Sequence, residues 1–176
     1  SEEIAPGRIL AGGQEGVLDV WSAGCASGEE AFSLSIVLHE RGILPGRRVR
    51  ILGTDLSPAH VRRARTAVYG PQALRATSPE RRRDHFEPAE GGLFRLKAHL
   101  ATPVLFEARS ILDEATSGPR FDVILCRNVL IYLDEEARVR AIDVLASRLK
   151  PGGYMLLGAS DALAAAPEAA PATPDS

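Results

Sequence analysis

One stretch constrains the fold more than any other: Val17-Leu-Asp-Val-Trp-Ser-Ala-Gly-Cys-Ala-Ser-Gly-Glu-Glu30. It starts as a short apolar run, passes through a loop with Gly24 and Gly28, and leaves as a segment whose apolar residues recur at helical spacing. A strand, a glycine turn and a helix N-terminus form the usual seat of a nucleotide-like ligand in an open α/β sheet. Glycines let the backbone approach the ligand, and the first turn of the helix offers unpaired N–H groups. The spacing is G-x-x-x-G, which is neither the dinucleotide G-x-G-x-x-G nor a phosphate loop, and no lysine follows to hold a phosphate.

The rest of the chain repeats the strand–helix alternation. Ser27 stands three residues before Glu30 in a capping-box pattern, and Ala31, Leu34, Val37 and Leu38 form an apolar stripe that ends at Gly42. Val49–Thr54 is β-prone and closes on Asp55. Ser57-Pro58 then opens a helix with Val61, Ala64 and Val68 on one face. Val104–Phe106 reads as a return strand that ends near Ser110-Ile111-Leu112, and Phe121–Cys126 as a buried strand followed by Arg127-Asn128. Asp134 caps a helix carrying Val139, Ile142, Leu145 and Leu149, Lys150–Gly153 breaks it, and Tyr154–Leu157 is the last strand. This order predicts an α/β fold with right-handed crossovers and a mostly parallel sheet.

Residues 71–103 interrupt the rhythm and read as a small excursion from the main sheet, with a short strand at Leu93–Leu96 beside Glu90-Gly-Gly92. Arg81-Arg-Arg83 reads as a solvated helix face, with a docking patch as the other reading. The expected division is a leader over 1–16, a main domain over 17–161 and an Ala/Pro-rich tail over 162–176.

Composition excludes several classes. A net charge of -2 gives no drive toward nucleic acid. No apolar run is long enough to span a membrane and no secretion signal is visible, so a cytoplasmic protein is expected. Cys25 and Cys126 are too few for a disulfide scaffold and read as small buried residues. His39, His60, His85 and His99 are scattered along the sequence and point to no metal site or triad.

In a parallel sheet the C-terminal ends of all strands share one rim, which here collects Gly24–Gly28, Asp55, Ser110-Ile111 and Arg127-Asn128. Asp55 offers two carboxylate oxygens to a ribose diol, or it caps the next helix. Glu30 binds a cationic group of a ligand, or it completes the capping box.

Four segments carry a family resemblance: Trp21–Glu30, Thr54–Ser57, Phe121-Asp-Val-Ile-Leu-Cys-Arg-Asn-Val-Leu-Ile-Tyr132 and Leu149–Tyr154. Over about Val17 to Asp161 the chain resembles the CheR-type chemotaxis receptor methyltransferases. The resemblance implies a Rossmann-like, S-adenosylmethionine-dependent methyltransferase fold. It implies methylation of glutamate side chains in the cytoplasmic region of chemoreceptors, with S-adenosylhomocysteine as product. By the same resemblance, Gly24, Glu30, Asp55, Ser110, Ile111, Arg127, Asn128 and Val129 line the cofactor, and Tyr132 lies near the transferred methyl. The excursion over 71–103 would be the family's small inserted β-subdomain, which contacts receptors.

Several features depart from the family pattern. Ser110 stands where the family carries Asn, and Gly158-Ala-Ser-Asp161 replaces Gly-His-Ser-Glu. The resemblance begins at about Val17, so the family's N-terminal helical domain, which lends an arginine to the active site, is not expected within these residues. The final antiparallel hairpin of the sheet is not expected either. The short turn at Glu90–Gly92 resembles members that use no receptor pentapeptide tether. A non-catalytic cofactor-binding or interaction module built on the same fold is therefore the alternative expectation.

Overall fold

A computed structural model describes residues 16–46, 48–113 and 118–165. The expected leader, apart from Gly16, and the expected tail from residue 166 onward lie outside the described residues. In chain order the strands are β1 (Leu18–Ala23), β2 (Val49–Asp55), β3 (Val68–Tyr69), β4 (Phe86–Ala89), β5 (Leu93–Leu96), β6 (Val104–Ala108), β7 (Phe121–Cys126) and β8 (Leu149–Leu157). The main helices are α1 (Glu29–Glu40), α2 (Pro58–Thr66), α3 (Pro79–His85), α4 (Glu135–Ser147) and α5 (Ala159–Ala165). None of the described helices is long and apolar enough to cross a membrane.

Five strands form one parallel sheet in the order β6-β2-β1-β7-β8. β1 is its middle strand, and its side chains alternate between two cores. Leu18 and Val20 join Ile51, Phe32, Ile36 and Phe106 on the face covered by α1 and α2. Trp21 and Ala23 join Phe121, Ile124, Leu130 and Leu145 on the face covered by α4. Fully burying each of these large apolar side chains contributes roughly 1.5–3 kcal/mol. The Trp21 indole N–H finds its partner in Thr54 Oγ1 at 2.9 Å, and the ring packs 5.4 Å from Phe121.

The second sheet has three antiparallel strands in the order β3-β5-β4. It follows α2 directly, because Ala67 takes a left-handed conformation (φ 52) and ends the helix. Val68 is therefore a strand residue paired with Arg95, not the last apolar position of α2. Leu149 is likewise not helical. α4 stops at Ser147, and Leu149 pairs with Phe121 at the start of β8, which absorbs Lys150–Gly153 through a register shift.

Four other expectations change. Ser27 and Glu30 form no capping box: Gly28 occupies the cap with φ 88, and no side chain caps the helix. A Cβ on Gly28 would sit 2.8 Å from Phe106 and 3.0 Å from the Ala64 Cβ, so packing of the helix start selects glycine. On α1 the buried apolar residues are Ala31, Phe32, Ile36 and Leu38, while Val37 faces solvent. The arginine run is only partly a solvated face. Arg81 donates twice to Glu40 on α1 (2.7 and 2.9 Å), Arg82 lies 5.2 Å over the Phe94 ring, and Arg83 makes an exposed pair with Glu80. Three of the four histidines meet in the fold, while His60 stays apart beside Asp55. His39 packs against His85 and His99 (ring centroids 6.1 and 4.9 Å), and His85 meets Glu40 at 2.8 Å.

Candidate functional site

The C-terminal ends of β1, β2, β6 and β7 open onto a cleft of about 450 Å³. Seven of the residues expected at a site line it: Gly24, Asp55, Ser110, Ile111, Asn128, Val129 and Tyr132. Ala26 of the expected Gly24–Gly28 loop lines it too, as do Leu56, Ser57, His60, Arg109, Leu112 and Leu133, which were not anticipated there.

Asp55 ties two loops together. Its Oδ2 accepts the Ala26 N–H at 2.9 Å, and its Oδ1 accepts the Ser57 N–H at 2.9 Å and faces His60 Nδ1 at 3.2 Å. The α2 cap is Ser57, whose hydroxyl accepts from the His60 N–H. Asp55 thus braces the turn before α2 without being its cap. Each carboxylate oxygen carries two lone pairs, which leaves acceptor capacity toward the cleft.

Gly24 has φ 77, and a Cβ there would fall 2.2 Å from Val129 Cγ2. The β1 loop and the β7 loop therefore close on each other only because residue 24 has no side chain. Ser110 turns the chain after β6, its hydroxyl accepting the Leu112 N–H at 3.1 Å, and Ile111 is buried beside it. Tyr132 ends a single 3₁₀ turn, Leu130–Tyr132, and its ring is 81% exposed at the cleft mouth.

Glu30 and Arg127 are not among the residues that line this cleft. Glu30 Oε1 accepts from the Ser22 hydroxyl at 2.7 Å, and Oε2 lies 3.9 Å from the Arg127 guanidinium. Burial pushes the Glu30 carboxyl up, and the Asp161 charge adds to this, against the pull of Ser22 and Arg127. Cys25 and Cys126 are buried free thiols, each pushed up to about 12, chiefly by burial. A thiol at that value is no nucleophile at neutral pH. Among the described residues, no group of three or more His, Cys, Asp or Glu could hold a metal ion.

The residue that sequence reasoning missed is Asp161, in the first turn of α5. Its side chain is fully buried. One oxygen accepts the N–H groups of Val129 (2.9 Å) and Leu130 (2.8 Å), and the other accepts that of Asn128. Asn128 itself takes a left-handed conformation, φ 57. The signal in the sequence was the acid of Gly158-Ala-Ser-Asp161, but α5 runs on to Ala165, across the expected end of the domain at Asp161.

The cleft combines a carboxylate braced at the end of β2 with apolar walls at Ile111, Leu112, Val129 and Leu133. Its volume falls in the range of small-molecule and cofactor sites. A ligand with hydroxyls at one end and a flat apolar body fits that acceptor and those walls.

Comparison with known proteins agrees with this geometry. Residues 1–174 match the family model described as CheR methyltransferase, SAM binding domain. A chemotaxis protein methyltransferase of Vibrio parahaemolyticus is 40% identical over 152 residues, which cover 83% of this chain and 54% of that protein. Chemotaxis protein methyltransferase 1 of Pseudomonas aeruginosa is 38% identical over 169 residues, covering 92% of this chain and 61% of that protein. The chain thus spans little more than half the length of these relatives. Among solved structures, the glycopeptide N-methyltransferase MtfA complexed with sinefungin superposes with a TM-score of 0.51 at 17% identity, over 80% of this chain and 42% of that one. The fold is thus the Rossmann-like fold of S-adenosylmethionine-dependent methyltransferases.

Proposed function

The chain belongs to the CheR methyltransferase family, as its S-adenosylmethionine-binding domain, and from that membership we propose that it transfers methyl groups to glutamate side chains of chemoreceptors, forming glutamyl methyl esters. The observation that carries the reading is the cleft at the strand ends, where Asp55, Gly24, Ile111 and Val129 converge in a chain 40% identical to a chemotaxis methyltransferase.

When bound, S-adenosylmethionine supplies a methyl group on a positively charged sulfur. Asp55 would accept hydrogen bonds from its ribose hydroxyls, while Ile111 and Val129 would enclose its flat base. A glutamate side chain, with an ordinary pKa near ~4.3, is already ionised at neutral pH, so the acceptor needs no general base. The protein's task is then alignment and exclusion of water. Tyr132, exposed at the mouth, would orient the incoming carboxylate by its hydroxyl. Glu30, in the first turn of α1, joins Ser22 of β1 to Arg127 at the end of β7.

The test is incubation of the purified chain with methyl-labelled S-adenosylmethionine and a chemoreceptor cytoplasmic fragment. Label that transfers to the receptor and is released by mild base supports the reading. Tight S-adenosylhomocysteine binding with no transfer supports a cofactor-binding module instead.

A further inference from the structure

A buried carboxylate needs hydrogen-bond partners for its oxygens. Asp161 is 0% exposed, and its two oxygens accept three consecutive main-chain N–H groups, those of Asn128, Val129 and Leu130. Three successive N–H groups aimed at one side chain fix the path of a loop that no regular element holds. That loop carries Asn128 and Val129 into the cleft and leads directly to Tyr132, whose N–H closes on the Val129 carbonyl at 3.1 Å. The fit is tight on the opposite side too. A Cβ on Gly158 would lie 2.6 Å from Asp161 Oδ2, and one on Gly24 would strike Val129. The chain therefore leaves room for the carboxylate at 158 and for the clamped loop at 24.

We infer that Asp161 is a positioning residue for the cofactor cleft, clamping the Asn128–Leu130 loop so that Val129 and Tyr132 are set before any ligand arrives. It touches neither ligand nor reacting atom and acts through the three amides. This inference rests on the cleft being the cofactor site.

The experiment uses the full chain. Asp161→Asn keeps the size of the side chain but turns an NH₂ group toward the N–H donors. The expected result is at least tenfold faster hydrogen exchange at Asn128, Val129 and Leu130, and at least tenfold weaker S-adenosylhomocysteine binding by calorimetry. Asp19→Asn, which removes a charge from the opposite end of β1, is the stability control and keeps the affinity within twofold. A folded Asp161→Asn chain with affinity within twofold of wild type overturns the positioning role. If Asp161→Asn does not fold, Asp161→Glu decides. Exchange and affinity must then move together, both kept or both lost, and divergence between them overturns the inference. A wild-type chain that binds no S-adenosylhomocysteine overturns the cleft assignment itself, and the positioning role with it.

Discussion

The Ala26 main-chain N–H donates to Asp55 Oδ2 at 2.9 Å, so the carboxylate that ends β2 also sets the shape of the loop that leaves β1. Removing it has two effects, loss of a ligand acceptor and loss of a loop brace. Hydrogen bonds to charged groups contribute about 1.5–3 kcal/mol each. Asp55→Ala is therefore expected to weaken S-adenosylhomocysteine binding by roughly 10- to 150-fold. Calorimetric titration of the folded variant measures this, and affinity within threefold of wild type would remove Asp55 from the site.

Gly24→Ala meets two obstacles, a backbone φ of 77 and a contact 2.2 Å from Val129 Cγ2. The left-handed conformation alone costs on the order of 1–2 kcal/mol for a side chain. The variant should melt earlier and bind S-adenosylhomocysteine at least tenfold more weakly. Adding Val129→Ala relieves the steric part and should recover affinity, leaving the melting deficit largely in place. Unimproved affinity in the double variant argues that the loops do not meet in this way.

Glu30 makes stability fall with rising pH. Burial raises its folded pKa above the ordinary carboxylate value, so the folded state binds the proton more tightly than the unfolded state does. The associated stability is present below the unfolded value and is lost as pH climbs through the raised folded one. Glu30→Gln keeps an oxygen for the Ser22 hydroxyl and removes the buried charge. It should melt higher than wild type at pH 7, with the gain shrinking toward pH 4. A gain independent of pH would separate the effect from ionisation.

Tyr132 is expected to divide binding from turnover. With its ring 81% exposed at the cleft mouth, Tyr132→Phe should leave S-adenosylhomocysteine affinity within threefold while lowering methyl transfer to receptor fragments. Loss of a hydroxyl hydrogen bond to a charged acceptor corresponds to roughly tenfold or more in rate. Equal turnover by both forms would remove the hydroxyl from the reaction.

The two thiols should be inert in the native state. Cys25 and Cys126 are buried, and each is pushed up to about 12. Titration with a thiol reagent at pH 8 should give full reaction only in denaturant. Rapid native labelling at either position would mean that the loop beside it opens readily.

The parallel sheet and its rim were legible because each strand–loop–helix unit carries local marks. Gly24 and Gly28 bracket the first turn, Asp55 is followed by Ser57-Pro58, and Asp134 caps α4. What was hidden depends on contacts between distant segments. Asp161 meets Asn128, Val129 and Leu130, some 31 to 33 residues earlier, and the Gly158-Ala-Ser-Asp161 segment marks an acid without marking which loop it holds. Glu30 was drawn from its expected cap by Ser22, which the strand register places beneath α1. β3 has two residues, too few for a periodicity, so Val68 read as the continuation of the helix before it.

The central place of β1 has a consequence for how the chain is made. One edge of β1 pairs with β2 soon after it in sequence, but the other waits for β7, and the Asp19 N–H finds the Asp122 carboxylate 103 residues later. At about 5–20 residues per second of synthesis, that edge stands open for roughly 5–20 s on the ribosome. Trp21 waits equally long for Phe121. Until then the nascent sheet ends in an unpaired, apolar strand, which is the interval in which a chaperone has something to hold.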